Sequence, residues 1–286
     1  MADAARSGQL AFCAQDSVAL LSRPRPRAAA GAGGEGLFAL MALRLAGPEA
    51  RADLGDPADL AYVRLVSSEL RVGSLTRHAD LSTSAVACQH LAILDDVGRV
   101  IAVRGVRRSE TVGGILCQAD PAEDLAAVFA AARATMLIKG RDGTRAVLAR
   151  EFHLGPYRTV VEPGELLTEI RIPIGPCGSA YETETRPRGG CPVTGAAAVI
   201  CLDGDTVTRV GLGLTPTPAR QREMAAAEEA MAGTLATRLD IEGAGEIAAG
   251  YCACSAEMRD QGRNRQCAAG RLTTRALRRA LLRAQA

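Results

Sequence analysis

The sequence predicts an α+β protein built from two units, and three observations carry that expectation. Up to about residue 170, strand and helix patterns alternate along the chain. Beyond residue 175 the character changes, and a long apolar hairpin is followed by mainly helical patterning. The 286 residues, 48% hydrophobic and 23% charged, suffice for a sizeable core. The expected division is 1–172 and 173–286.

In the first unit, Asp16-Ser17 reads as the cap of an apolar helix start at 18–21. The Arg/Pro run at 23–27 stops it, because proline lacks an N–H and disfavours helix in its predecessor. Ala28-Ala29-Ala30 reads as a very short strand. The turn Gly31-Ala32-Gly33-Gly34-Glu35-Gly36 and a buried helix over 37–45 follow. Alternation marks a strand at 69–73, and a helix is expected over 81–94. An apolar segment at 100–103 leads to a second glycine turn, Thr111-Val112-Gly113-Gly114. Pro121-Ala122-Glu123-Asp124 opens a helix from 125 to about 135, since proline and acids suit a helix N-terminus. Asp142-Gly143 between apolar runs at 136–139 and 145–148 predicts a hairpin, and 166–173 a further strand.

In the second unit, 196–202 and 207–214 flank Asp203-Gly204-Asp205 as a second hairpin. Helices are expected over 219–232, 235–253 and 271–284. The nine cysteines are irregularly spaced and include no CxxC, which argues against a disulfide framework and against ferredoxin-type ligation. Cys252, Cys254 and Cys267, the one tight group, read as buried or incidental thiols. His78, His90 and His153 are far apart and read as surface or packing residues, so no metal site is expected. A net charge of +2 implies no strong attraction to nucleic acid or acidic membranes. No apolar run reaches the ~18 residues of a membrane span. The N-terminus lacks a secretory layout, so a cytoplasmic protein is expected.

The glycine turns carry the chemistry. Without a Cβ, backbone N–H groups can approach an anion closely, and a pyrophosphate wants several such donors. Residues 31–36 match G-x-G-x-x-G, the Rossmann fingerprint of a nicotinamide dehydrogenase. Yet the run Arg-Pro-Arg-Pro-Arg-Ala-Ala-Ala stands where a firm hydrophobic strand should precede it. A plain loop is the other local reading.

The order of landmarks resembles the FAD-binding medium subunit of the xanthine dehydrogenase and carbon monoxide dehydrogenase family, within the vanillyl-alcohol-oxidase type of flavoprotein. Ala32-Gly33-Gly34-Glu35-Gly36-Leu37 resembles the family's first turn, and Thr111-Val112-Gly113-Gly114-Ile115 its T-I-G-G-N. The segment 119–125 resembles A-x-P-A-x-D-L, and 72–76 the strand end I-G-A-x-T. Residues 152–173 follow F-x-x-G-x-x-x-T-x-L-x-P-x-E-L-L-x-x-I-x-x-P. The resemblance implies a two-lobed FAD-binding domain and a smaller α+β C-terminal domain. It implies that both turns hold the FAD pyrophosphate through backbone N–H groups, with the Thr111 hydroxyl adding. Asp124 is then near the ribose and pyrophosphate, and Ile170 near the flavin or adenine. No catalytic side chain is assigned.

The implied role is electron transfer, from 2Fe–2S clusters of a small subunit to FAD in this chain and on to an external acceptor. Molybdopterin belongs to a large subunit, and the assembly is a dimer of heterotrimers. Four departures stand out: Glu35 puts negative charge near a pyrophosphate, Ile115 replaces an asparagine, Thr183 stands for a lysine, and Cys191-Pro192 for an acid–aromatic pair. They keep open a non-catalytic subunit with weak or lost FAD binding.

Overall fold

The computed structural model describes residues 9–10, 28–31, 50–53, 59–100, 110–185, 192–215, 224–252 and 259–286. The helices expected at 18–21 and 37–45, the first glycine turn beyond Gly31, and Cys191 lie outside them.

Three short parallel strands, β1 (Gln9–Leu10), β2 (Ala28–Gly31) and β3 (Ala50–Asp53), pair in the order β1-β3-β2. The expected alanine strand is thus present, and it ends on Gly31, where the first glycine turn begins. An antiparallel sheet of five strands follows: β4 (Val63–Val66), β5 (Glu69–Gly73), β6 (Thr135–Gly140), β7 (Gly143–Leu148) and β10 (Leu166–Pro173), ordered β4-β5-β10-β6-β7. The expected strands at 69–73 and 166–173 appear with the same bounds, and the Asp142-Gly143 hairpin joins β6 to β7. A two-stranded hairpin, β8 (His153–Gly155) and β9 (Arg158–Thr159), completes this part.

The helical expectations here need correction. The helix expected over 81–94 is three short ones: α1 (His78–Thr83), α2 (Ala85–His90) and α3 (Ile93–Val100). Ser84 makes the first break, because its hydroxyl accepts from Ala87 N (3.3 Å) and caps α2 instead of continuing α1. Val100 closes α3 and is not extended. The second glycine turn is a helix start, for Thr111 caps α4 (Val112–Gln118). The helix opened by Pro121 is α5 (Asp124–Ala131). It stops short of 135 because Arg133 takes a left-handed φ of 53° and Thr135 already belongs to β6.

The C-terminal sheet pairs β11 (Cys177–Thr185), β12 (Pro192–Asp203) and β13 (Thr206–Thr215) in order, which confirms the second hairpin. After a one-turn helix at Ala149–Phe152 (α6), the later helices are α7 (Ala225–Met231), α8 (Ile241–Cys252) and α9 (Arg259–Ala284). Of the helix expected at 219–232, residues 219–223 lie outside the described residues and 225–231 are helical. A 3₁₀ turn at Ala236–Arg238 precedes α8, and α9 begins well before 271. Cys177 and Cys201, directly opposite on β11 and β12, are joined by a disulfide that the cysteine spacing did not predict.

Both faces of this sheet are buried. Tyr181, Ala197, Val199 and Cys201 share one core with Leu70, Ile115, Phe129 and Ile170, whereas Ala196, Ala198, Ile200, Leu212 and Leu214 pack with α7, α8 and α9. A strand buried on both faces reads as an unbroken apolar run, which is the pattern of 196–202. Contact is close enough to demand glycine. A Cβ on Gly211 would lie 1.8 Å from the Ala131 carbonyl oxygen, and one on Gly213 2.0 Å from that of Ala127. So α5 lies with its backbone directly on β13.

Candidate functional site

The second glycine segment starts a helix whose first donors are already used. Val112 N donates to Thr76 O (2.9 Å) and Gly113 N to Ser74 O (2.7 Å). Gly114 N donates to the Thr111 hydroxyl oxygen (3.1 Å). Gly113 answers to packing as well, since a Cβ there would stand 2.7 Å from that of Ser74. The glycines therefore seat α4 on the end of β5. The expected cradle of N–H groups at 112–114 is committed inside the protein.

What α4 leaves open is one face. Val112, Ile115 and Leu116 are buried in the core, while Gly114 and Gln118 are partly exposed and Cys117 is exposed. Ile115 thus turns inward, and its exchange for asparagine extends the core. Glu123 is only partly covered, yet burial pushes its carboxyl up to about 8, with Glu110, Asp124 and Asp120 adding to the rise. Gly114, Cys117 and Glu123 thus keep accessible surface on the side of α4 that faces away from the core.

The far end of α4 is held by the β8–β9 hairpin. Ala119 takes a left-handed φ of 52°, and its carbonyl accepts from Tyr157 N (2.8 Å). His153 Nε2 donates to Leu116 O (2.9 Å), and burial holds this imidazole below its ordinary pKa. The F-x-x-G segment thus satisfies carbonyls that α4 cannot satisfy internally.

Asp124 is buried at the first position of α5, and its carboxylate accepts a short hydrogen bond from the Tyr181 hydroxyl of β11. Burial pushes Asp124 up to about 6, opposed by the Tyr181 and Thr215 hydroxyls. Tyr181, with its own pKa raised by burial, fits because residue 195 is glycine: a Cβ there would lie 1.8 Å from the Tyr181 oxygen. The partnership of Tyr181 with Asp124 spans 57 residues and leaves no local signal in the sequence. Ile170 is fully buried in the sheet, paired with Val72 and Met136. Ala32, Gly33, Gly34, Glu35, Gly36 and Leu37 lie outside the described residues. Among those described, no group of three or more His, Cys, Asp or Glu could hold a metal ion.

Residues 10–175 match the family described as FAD binding domain in molybdopterin dehydrogenase. The chain is 33% identical over 272 residues to the carbon monoxide dehydrogenase medium chain of Afipia carboxidovorans, covering 94% of each chain. It superposes on a carbon monoxide dehydrogenase structure from Hydrogenophaga pseudoflava with TM-score 0.86 and 30% identity, covering 96% of both chains. Quinoline 2-oxidoreductase of Pseudomonas putida 86 gives TM-score 0.85 at 26% identity, with 97% of both chains covered. Fold and family match together define an FAD-binding flavoprotein unit. The chain belongs to the FAD-binding domain family of the molybdopterin dehydrogenases, and is an oxidoreductase subunit of the carbon monoxide and xanthine dehydrogenase type. That membership replaces the Rossmann dehydrogenase reading.

Proposed function

We propose that this chain is the electron-transfer subunit of a cytoplasmic molybdenum hydroxylase complex, accepting electrons from 2Fe–2S clusters of a small subunit and delivering them to an external acceptor. The molybdopterin-binding large subunit completes a heterotrimer, two of which associate. The observation that carries this reading is the family match over 10–175, a span that holds both glycine segments, α4 and Asp124.

Bound FAD supplies the redox chemistry. The chain's residues supply its place. The turn at 32–37 and the exposed face of α4 around Gly114 flank the pyrophosphate. Thr111 keeps Val112, Gly113 and Gly114 in register through its cap, Ile115 anchors α4 in the core, and Asp124 and Ile170 shape the walls from α5 and β10.

The committed N–H groups at 112–114 favour a second reading, a subunit of the same fold with weak or lost FAD binding. The visible absorption spectrum of the purified complex separates the two. Flavin bands at one FAD per chain are expected, and a colourless, correctly assembled complex overturns the proposal.

A further inference from the structure

We infer that Tyr181 and Asp124 form a latch that orients the start of α5 against the C-terminal sheet, and so sets the surface against which the cofactor is held. This rests on the FAD-carrying reading above. Both are positioning residues.

Helix α5 is fixed to the sheet at two points. Toward its C-terminal end the fixation is steric, where Gly211 and Gly213 admit the carbonyls of Ala131 and Ala127. At its first residue the fixation is a single polar contact, from the Tyr181 hydroxyl to Asp124. Immediately before that contact runs the loop with Asp120 and Glu123 that joins α5 to α4, the helix whose exposed face carries Gly114 and Cys117. Releasing the contact therefore frees the first turn of α5 while its other end stays seated.

The surroundings make the contact specific. Gly195 on β12 leaves the space that the Tyr181 oxygen occupies. From β13 the Thr215 hydroxyl faces the pair, and Glu123 neighbours it on α5. On α9, Arg279 donates to the Tyr181 carbonyl (3.3 Å) and pairs with Asp96 and Glu182. Asp124 is therefore met by hydroxyls, and an ionised carboxylate accepts from a phenol more strongly than a neutral one.

The test titrates FAD into the flavin-free full chain between about pH 5 and 8, for the wild type, Tyr181→Phe and Asp124→Asn, with flavin fluorescence as readout and circular dichroism as the control for folding. Wild-type affinity should rise with pH as Asp124 ionises. Tyr181→Phe should bind about tenfold more weakly at the upper end, the loss of one hydrogen bond to a charged acceptor. Asp124→Asn still accepts from Tyr181 but cannot titrate, so its affinity should be flat with pH; it carries the test should Tyr181→Phe not fold. Wild-type affinity in Tyr181→Phe, or a wild-type pH profile in Asp124→Asn, overturns the latch. A wild type that binds no FAD at any pH overturns the FAD-carrying reading, and the latch with it.

Discussion

The C-terminal sheet and its helices meet the first unit through two kinds of seam, one built with arginine and one without. At the edges, buried acids meet guanidinium groups. Asp96 on α3 accepts from Arg279 and Arg283 of α9. Glu228 on α7 accepts from Arg133 and Arg150, and also from Leu212 N (2.8 Å). At the centre, Asp124 accepts from the Tyr181 hydroxyl, and the Thr215 hydroxyl lies nearby. A buried carboxylate needs a cation or several donors to stay charged, and the edges provide both. The centre provides hydroxyls alone, so burial dominates there and lifts Asp124 into a range where its charge responds to pH. The edges are thus ion-paired clamps, and the centre is a hydroxyl contact whose carboxylate responds to pH.

Three substitutions would break or sharpen that contrast. The largest effect is expected from Gly211→Val, which forces α5 off the sheet on which both seams depend. The Ala131 oxygen lies 1.8 Å from where the new Cβ must sit, and that neighbour is backbone. Urea denaturation should show a loss of at least about 3 kcal/mol, or no folded protein. Next comes Glu228→Ala, which strands the largely buried Arg150 and the buried Leu212 N–H, while the more exposed Arg133 keeps the Val210 carbonyl. The expected loss is about 3 kcal/mol by the same measurement, and a neutral result would show that the edge is not a clamp.

Asp124→Asn has the smallest effect, and its sign is opposite. The folded-state value of about 6 lies above the ordinary 3.8, so the folded state binds more protons between those values. The associated stability is full below about pH 4 and is lost as pH rises through about 6. The asparagine variant does not suffer that loss. It should gain on the wild type between about pH 4 and 7, by at most about 3 kcal/mol, in thermal or urea unfolding followed against pH. A difference independent of pH would mean that Asp124 does not change its charge on folding in this range.

Much of the fold was legible because it rests on local chemistry. The strands at 69–73 and 166–173 followed from side-chain periodicity, and the two hairpins from Asp142-Gly143 and Asp203-Gly204-Asp205 between apolar runs. The three-way division of 78–100 was missed where Ser84, readable as a cap, was absorbed into an apolar pattern. Gly211 and Gly213 read only as parts of a strand, because the carbonyls that require them come from a helix about eighty residues earlier.

By itself, the sequence determined the succession of elements, the apolar run of a doubly buried strand and the order of motifs that marks the family. These depend on neighbours a few residues apart. Only the tertiary structure decided that the N–H groups at 112–114 are spent on Ser74, Thr76 and Thr111, that Ile115 faces the core, and that Cys177 joins Cys201. It also decided that the Asp124 carboxylate accepts from the Tyr181 hydroxyl. The reason is physical: a donor, a thiol or a carboxylate acquires its role from whichever group folding brings against it, and those groups lie far away along the chain.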